Sequence, residues 1–454
     1  MELKGERITG TGGDSGSREA AGEHASGRKF MGELINDRDF VSSGEHINGG
    51  AEIREIAEGE AGGHGGNVYA AAALHGLRPE DFCDFSSNIN PLGPPPGLVL
   101  ELKRHLEQEI CRYPAPQAAP FRSALARELD LPEERLLIGN GANELIHLLF
   151  LWKRPKKVLI PAPTFAEYER AARLAGAEVE YFSLHPEEAL SKEKLAAQIQ
   201  AALIQMAGSD LVVFCNPNNP TGMFYSRELL EEIALAAAEK GADIFVDESF
   251  FPFTGRPASE SFSRSAAASF SGSYPCRNAD SVTPGSSAGN EIPGGCNNLW
   301  VVASLTKLWA LPGLRLGYLF GPPEGIRGLT ENGDPWRVNA LAQQAGLYAL
   351  SQKQYIKDSL ELVKREREFL LRELEEIGGL EVYPGEANYL LLRGLDSGFS
   401  SEDLCLKLAA RGILVRDASN FPALGRSYFR IAVRPRRENL RLLTELRDYV
   451  SGVT

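Results

Sequence analysis

Four short runs of apolar residues punctuate the middle of the chain, at 157–160, 211–214, 244–246 and 299–303. Each is too short for a helix and is built mostly of Val, Ile, Leu or aromatic residues with almost no polar break, as in a strand covered on both faces. Between them the period becomes that of amphipathic helices, at 143–152, 166–175 and 227–240. This alternation predicts a mainly parallel α/β sheet, because parallel neighbours need a crossover long enough to hold a helix. From 336 to 377 the pattern is helical and charged. Residues 380–450 mix strand-like runs at 389–392 and 429–433 with helical segments, which predicts a smaller α/β domain.

Two stretches break the pattern. Residues 1–60 hold 12 glycines, many charges and two aromatics, Phe30 and Phe40, so they are read as a disordered tail. Residues 257–298 carry 10 serines in 42 positions with no periodicity, and are read as a flexible insertion between two strands.

Composition narrows the function classes. Of 454 residues 43% are apolar and 24% charged, an ordinary globular balance, and Lys plus Arg at 48 against Asp plus Glu at 61 leaves a net charge of −13. That charge argues against nucleic acid or an anionic membrane as partner, but not against a small anionic ligand held by a few local arginines. No stretch approaches the roughly 18 apolar residues of a membrane span, and the N-terminus lacks a signal-peptide core, so the expected location is cytoplasmic. The six cysteines are scattered without C-x-x-C spacing, which suggests free thiols in a reducing compartment and no metal site. The last histidine is His185, so no imidazole serves the C-terminal half.

Four motifs carry candidate chemistry. Ser304, Leu305, Thr306 and Lys307 follow the run ending at Ala303 and lead to Pro312, Gly313, Leu314, Arg315 and Gly317. A lysine at such a sheet edge can lose its proton and condense with an aldehyde, and the flanking Ser304 and Arg315 suit a phosphate. Alone, a lysine in a turn is usually a surface charge; the whole pattern is what points to a cofactor. Asn216 to Gly222 form a turn fixed by two prolines and a glycine, able to aim the Asn219 amide rigidly. Asp247 ends a strand, where a carboxylate can pair with a protonated pyridine nitrogen. Gly139, Asn140, Gly141, Ala142 and Asn143 open a helix, whose N-terminal N–H groups and dipole suit a phosphate.

The order of these motifs, with the aromatic Phe165 between the first and second in the chain, resembles the fold-type I pyridoxal-phosphate enzymes of the aspartate aminotransferase branch. Within that branch residues 64–450 resemble two families, the histidinol-phosphate aminotransferases and the threonine-phosphate decarboxylases. Finer features favour the decarboxylases: His64 to Asn67, Asp84 to Gly93, and the segments 163–168, 335–340 and 383–389 look like theirs, and Phe250 stands where the aminotransferases usually carry a tyrosine. The resemblance implies a large domain, 113–335, with a mainly parallel seven-stranded sheet, and a smaller α/β C-terminal domain, 336–454. Residues 61–112 would form an arm belonging with the small domain.

It also implies a role for each matching residue. Lys307 would hold pyridoxal 5'-phosphate as a Schiff base and return a proton to Cα. Asp247 would pair with the ring nitrogen, Asn219 with the ring hydroxyl, and Phe165 would stack on the ring. Ala142, Asn143, Ser304 and Arg315 would hold the cofactor phosphate, joined by Tyr113 from a neighbouring subunit, so a homodimer is implied. Arg430 would clamp the substrate carboxylate and Arg416 the substrate phosphate, with His64 and Asn88 as further substrate contacts and Arg434 and Asn388 as helpers. The expected activity is decarboxylation of L-threonine O-3-phosphate to the aminopropanol phosphate linker of cobalamin assembly; the alternative is a histidinol-phosphate-type aminotransferase. The two differ in which bond at Cα is held perpendicular to the ring, and so in where the anionic ends of the substrate are anchored. A ligand-sensing regulator is a more distant rival, lacking any output domain in the sequence.

Overall fold

The computed structural model describes residues 65–187, 199, 208–264 and 298–452, so the tail 1–60, His64 and most of the serine-rich stretch lie outside the described residues. Strand β1 (Cys83–Asp84) opens the fold. Strands β2 (Leu136–Gly139), β3 (Lys157–Ala162), β4 (Glu178–Ser183), β5 (Leu211–Cys215), β6 (Asp243–Asp247), β7 (Leu299–Ser304) and β8 (Gly317–Phe320) then build one sheet in the order β2-β8-β7-β6-β5-β3-β4. Neighbours from β7 through β4 are parallel, while β8 runs antiparallel to both β7 and β2.

Alternate residues of the central strands enter opposite cores, which is why those strands read as unbroken apolar runs. Val212, Phe214, Ile244, Val246 and Val301 face a layer that includes the helices Ala119–Leu129, Arg227–Glu239 and Ala340–Leu350. Leu211, Val213, Phe245, Trp300 and Val302 face the helices Ala142–Lys153 and Glu167–Leu174. Each such side chain is fully covered, and each burial stabilises the fold by about 1.5–3 kcal/mol before entropy is counted.

Strands β9 (Leu380–Tyr383), β10 (Tyr389–Gly394), β11 (Ile413–Leu414), β12 (Arg416–Asp417) and β13 (Tyr428–Ala432) follow. Four of them form an antiparallel sheet in the order β12-β13-β10-β9, and β11 pairs in parallel with β1. One face packs Leu390, Leu392, Phe429 and Ile431 against the helices Lys353–Glu375, Ser401–Ala410 and Arg436–Val450. Phe85, just after β1, is buried in the same cluster. Contacts join the described residues into a single unit, which holds the two larger sheets as separate sheets. Among the described residues no helix is long and apolar enough to cross a membrane.

The insertion begins later than composition suggests. Residues 257–264 are regular structure: a mostly exposed 3-10 turn at Ala258–Glu260 leads to Ser261, Phe262 and Ser263, which are buried. The buried Glu248 carboxylate holds this stem, accepting from the Phe262 N–H at 2.6 Å and from the Ser261 hydroxyl at 2.8 Å. Serine content misleads here because two of the serines serve as buried donors.

Candidate active site

The C-terminal ends of β5, β6 and β7, where ligands collect in open parallel sheets, open on a cavity of about 560 Å³. Asp247 ends β6, Asn219 lies in the turn after β5, and Lys307 sits on the single helical turn Leu305–Leu308 after β7. All three line the cavity, with Ala142, Asn143, Phe165, Ser304, Arg315, Asn88, Arg416 and Arg430. Tyr113 does not. It is 80% exposed and lies against Trp336 in a tilted ring pair, with centroids 4.7 Å apart. Arg434 also reaches the cavity, its Nε tied to Glu438 at 2.8 Å, whereas Asn388 is fully buried outside it.

Burial and the positive charges of Arg430 and Arg315 push the Lys307 amine down to about 8. Asp247 is fully buried, and burial pushes its carboxyl up. Three groups oppose that shift: the Ser249 N–H donating to Oδ1 at 2.8 Å, the Tyr168 hydroxyl donating to Oδ2 at 2.8 Å, and the charge of Lys307. Tyr168 and Ser249 are contributions the sequence motifs did not assign. Ser249 was within reach, two residues from Asp247; Tyr168 lies 79 positions away and has no local signal.

The helix Ala142–Lys153 starts at the cavity wall, where Asn143 presents a buried Oδ1 with no partner. Opposite are the hydroxyls of Ser304 and Thr306, 2.7 Å apart, and Arg315, whose guanidinium makes one long bond to the Pro312 carbonyl at 3.4 Å. Gly141 lets these meet: its φ is +84°, and a Cβ there would lie 2.6 Å from the Arg315 Nη2.

The far wall comes from the smaller sheet. Arg430, on β13, is 5% exposed. Its Nη1 donates to Asn219 Oδ1, its Nη2 to the Ser86 carbonyl at 2.8 Å, and its Nε has no acceptor. No carboxylate among the described residues forms an ion pair with it, and burial lowers its pKa to about 10. Arg416, on β12, pairs in register with Arg430, donates to the Asp417 carbonyl and to Asn420 Oδ1 (2.8 Å), and lies over the Phe421 ring. The two sheets touch where the Glu386 N–H donates to the Gly222 carbonyl at 2.8 Å; a Cβ on Gly222 would lie 2.9 Å from Gly385 Cα. Five cationic side chains (Lys307, Arg315, Arg416, Arg430 and Arg434) thus face three carboxylates, those of Asp84, Glu167 and Asp247. The cavity is built for anions.

Residues 80–446 match the aminotransferase class I and II family. The chain belongs to that family. It is 34% identical over 397 residues to a threonine-phosphate decarboxylase of Salmonella typhimurium, covering 86% of this chain and 97% of the relative. It is 32% identical over 370 residues to a histidinol-phosphate aminotransferase of Desulfitobacterium hafniense, covering 81% and 91%. The solved L-threonine-O-3-phosphate decarboxylase of Porphyromonas gingivalis superposes with a TM-score of 0.66 at 25% identity, covering 81% of this chain and 99% of that one. The fold is that of fold-type I enzymes, as the sequence motifs led one to expect, and the family works with pyridoxal phosphate. The cavity fits that group: a helix N-terminus, two hydroxyls and an arginine with one long hydrogen bond suit a phosphate, and a buried carboxylate and an amine suit a pyridine nitrogen and an aldehyde.

Proposed function

We propose that this chain decarboxylates L-threonine O-3-phosphate, giving 1-aminopropan-2-yl phosphate, the linker amine of cobalamin assembly. The observation that carries the reading is Arg430, a buried guanidinium with an unspent Nε and no ion pair among the described residues, in one cavity with Lys307 and a second buried arginine, Arg416. A substrate with a carboxylate at one end and a phosphate at the other would fill both cationic positions. The similarity to a decarboxylase along almost its whole length supports the same reading.

Pyridoxal phosphate, when bound, supplies an electron sink for the negative charge left at Cα as carbon dioxide departs. Lys307 Nζ would hold the cofactor and then deliver a proton to Cα; an amine at about 8 exchanges protons readily near neutral pH. Asp247 would keep the proton on the pyridine nitrogen, helped by Tyr168 and Ser249, which favour its charged form. Asn219 would face the ring hydroxyl and Phe165 the ring plane. Ala142, Asn143, Ser304 and Arg315 would take the cofactor phosphate.

Arg430 forks onto the substrate carboxylate, fixing direction as well as charge. Arg416 takes the substrate phosphate and, by holding it, keeps the Cβ–O bond from the orientation that would expel phosphate. Asn88, 4% exposed and with an unpartnered Oδ1, would serve the substrate side, as would His64, which lies outside the described residues. The exposed Tyr113 suits a role in a second subunit's cavity, so the working form is a homodimer, in the cytoplasm, with the free thiols Cys83, Cys111, Cys215 and Cys405 in keeping. We divide the chain into an arm, 61–112, a large domain, 113–335, and a small domain, 336–454.

The test is to incubate cofactor-loaded protein with L-threonine O-3-phosphate and no amino acceptor. Equal release of carbon dioxide and aminopropanol phosphate supports the reading. Amino transfer from histidinol phosphate to 2-oxoglutarate, with no carbon dioxide, overturns it in favour of the aminotransferase.

A further inference from the structure

Arg430 needs a device to hold it. A guanidinium buried without a counter-ion swings toward any nearby acceptor unless its N–H groups are fixed. The Nη2 is fixed by the Ser86 carbonyl, so whatever orients the peptide of Ser86 orients the fork. That peptide is set by Asp84. The Oδ1 of Asp84 accepts from the Ser86 N–H at 2.9 Å, the Ser86 hydroxyl at 2.6 Å and the Ser87 N–H at 3.3 Å. Asp84 itself is anchored: it lies in β1 opposite Leu414, and the next residue, Phe85, bonds β11 through its N–H and β13 through its carbonyl. The Ser86 hydroxyl also accepts from the Gly66 N–H at 2.7 Å, which ties the wall containing Gly65 and Gly66 to the same turn.

We propose that Asp84 is a positioning residue that sets the orientation of Arg430 through the Ser86 turn, and so governs recognition of the substrate carboxylate. The inference rests on the reading of Arg430 as the carboxylate anchor. Asp84 also lines the cavity, and its charge counters the burial of Arg430. Its side chain accepts three local hydrogen bonds and, among the described residues, forms no ion pair, so the carboxylate is used to shape a turn and to supply negative charge near the guanidinium.

The experiment compares two ligands that differ by the carboxylate. Binding of L-threonine O-3-phosphate and of 1-aminopropan-2-yl phosphate to the holoenzyme is read from the change in cofactor absorbance, with thermal midpoints measured alongside. Asp84→Ala should weaken the amino acid on the order of 100-fold, the penalty of a misplaced anchor, while the amine binds as before. Asp84→Asn keeps an acceptor oxygen for all three bonds and should retain most of the affinity. Asp84→Glu keeps the charge but displaces the turn, and should behave like the alanine variant; it serves if that variant does not fold. Unchanged binding of both ligands, or equal weakening of both, overturns the proposal. If the wild-type enzyme does not respond to L-threonine O-3-phosphate, it is the functional reading that has failed, and L-glutamate against 4-aminobutyrate then reads the same effect of Asp84 on Arg430.

Discussion

The two walls of the cavity are held differently. On the larger sheet the polar groups around Asp247 are spent on one another: Asp247 on Tyr168 and Ser249, Ser249 on the Ser304 N–H, and Ser304 on Thr306. On the smaller sheet Arg430 keeps an N–H without an acceptor, and among the described residues no carboxylate forms an ion pair with it, Asp84 acting on it directly only through its charge. The first arrangement is rigid before any ligand arrives. The second is left short of one anion, and a ligand that supplies it recovers hydrogen bonds the protein has forgone. Rigidity suits a cofactor that stays, and a deficit suits a substrate that comes and goes.

The sharpest way to break this comparison is one substitution on each wall. Lys307→Ala should abolish both turnover and the visible absorbance of the bound cofactor; activity surviving in that variant would remove Lys307 from its role. Arg430→Ala should lower kcat/KM on the order of 100-fold while leaving cofactor absorbance intact, since it removes one partner of a buried charged pair formed only with substrate. A loss of cofactor along with activity would place Arg430 on the wrong side of the comparison.

A third outcome concerns the proton on Lys307. With the amine at about 8 in the cofactor-free protein, roughly a tenth is neutral at pH 7 and most of it at pH 9, so cofactor capture should quicken about tenfold as pH rises through that range. The sign follows from burial lowering the pKa: the nucleophile is the deprotonated form, present above the folded-state value. A flat profile in stopped-flow absorbance would show that the amine is not limiting. The smallest effect is expected from Tyr168→Phe. Removing a donor that favours the charged form of Asp247 lets its carboxyl rise further, so the acidic limb of the pH–rate profile should move to higher pH with only a severalfold loss at pH 8.

Much of the larger sheet was legible because β3, β5, β6 and β7 are covered on both faces and therefore apolar along their interiors, with polar residues only at their ends. Strand β4 escaped notice because it is an edge, half polar, and β2 and β8 because each is four residues long beside a glycine motif. The reversed direction of β8 has no trace in hydrophobic spacing, which is the same for either direction. Cavity residues were found where they sit in turns directly after strands, as Asn219 and Lys307 do. Tyr168 was not, because its partner is remote in the chain and a buried tyrosine on an amphipathic helix looks like ordinary core. Arg416 and Arg430 could be named only by resemblance; nothing local separates them from Arg436, which pairs with the buried Glu366.

The contact between Gly222 and Gly385 sets a tolerance for the whole assembly. The turn that carries Asn219 belongs to one sheet and Arg430 to the other, yet their side chains meet, and the backbones behind them approach with no side chain between. A single methyl group at either glycine would act as a shim. It would open the joint by a fraction of an ångström at the surface of contact and carry the amide and the guanidinium apart, so the smallest residue in the chain's alphabet works here as the gauge to which the two halves are fitted.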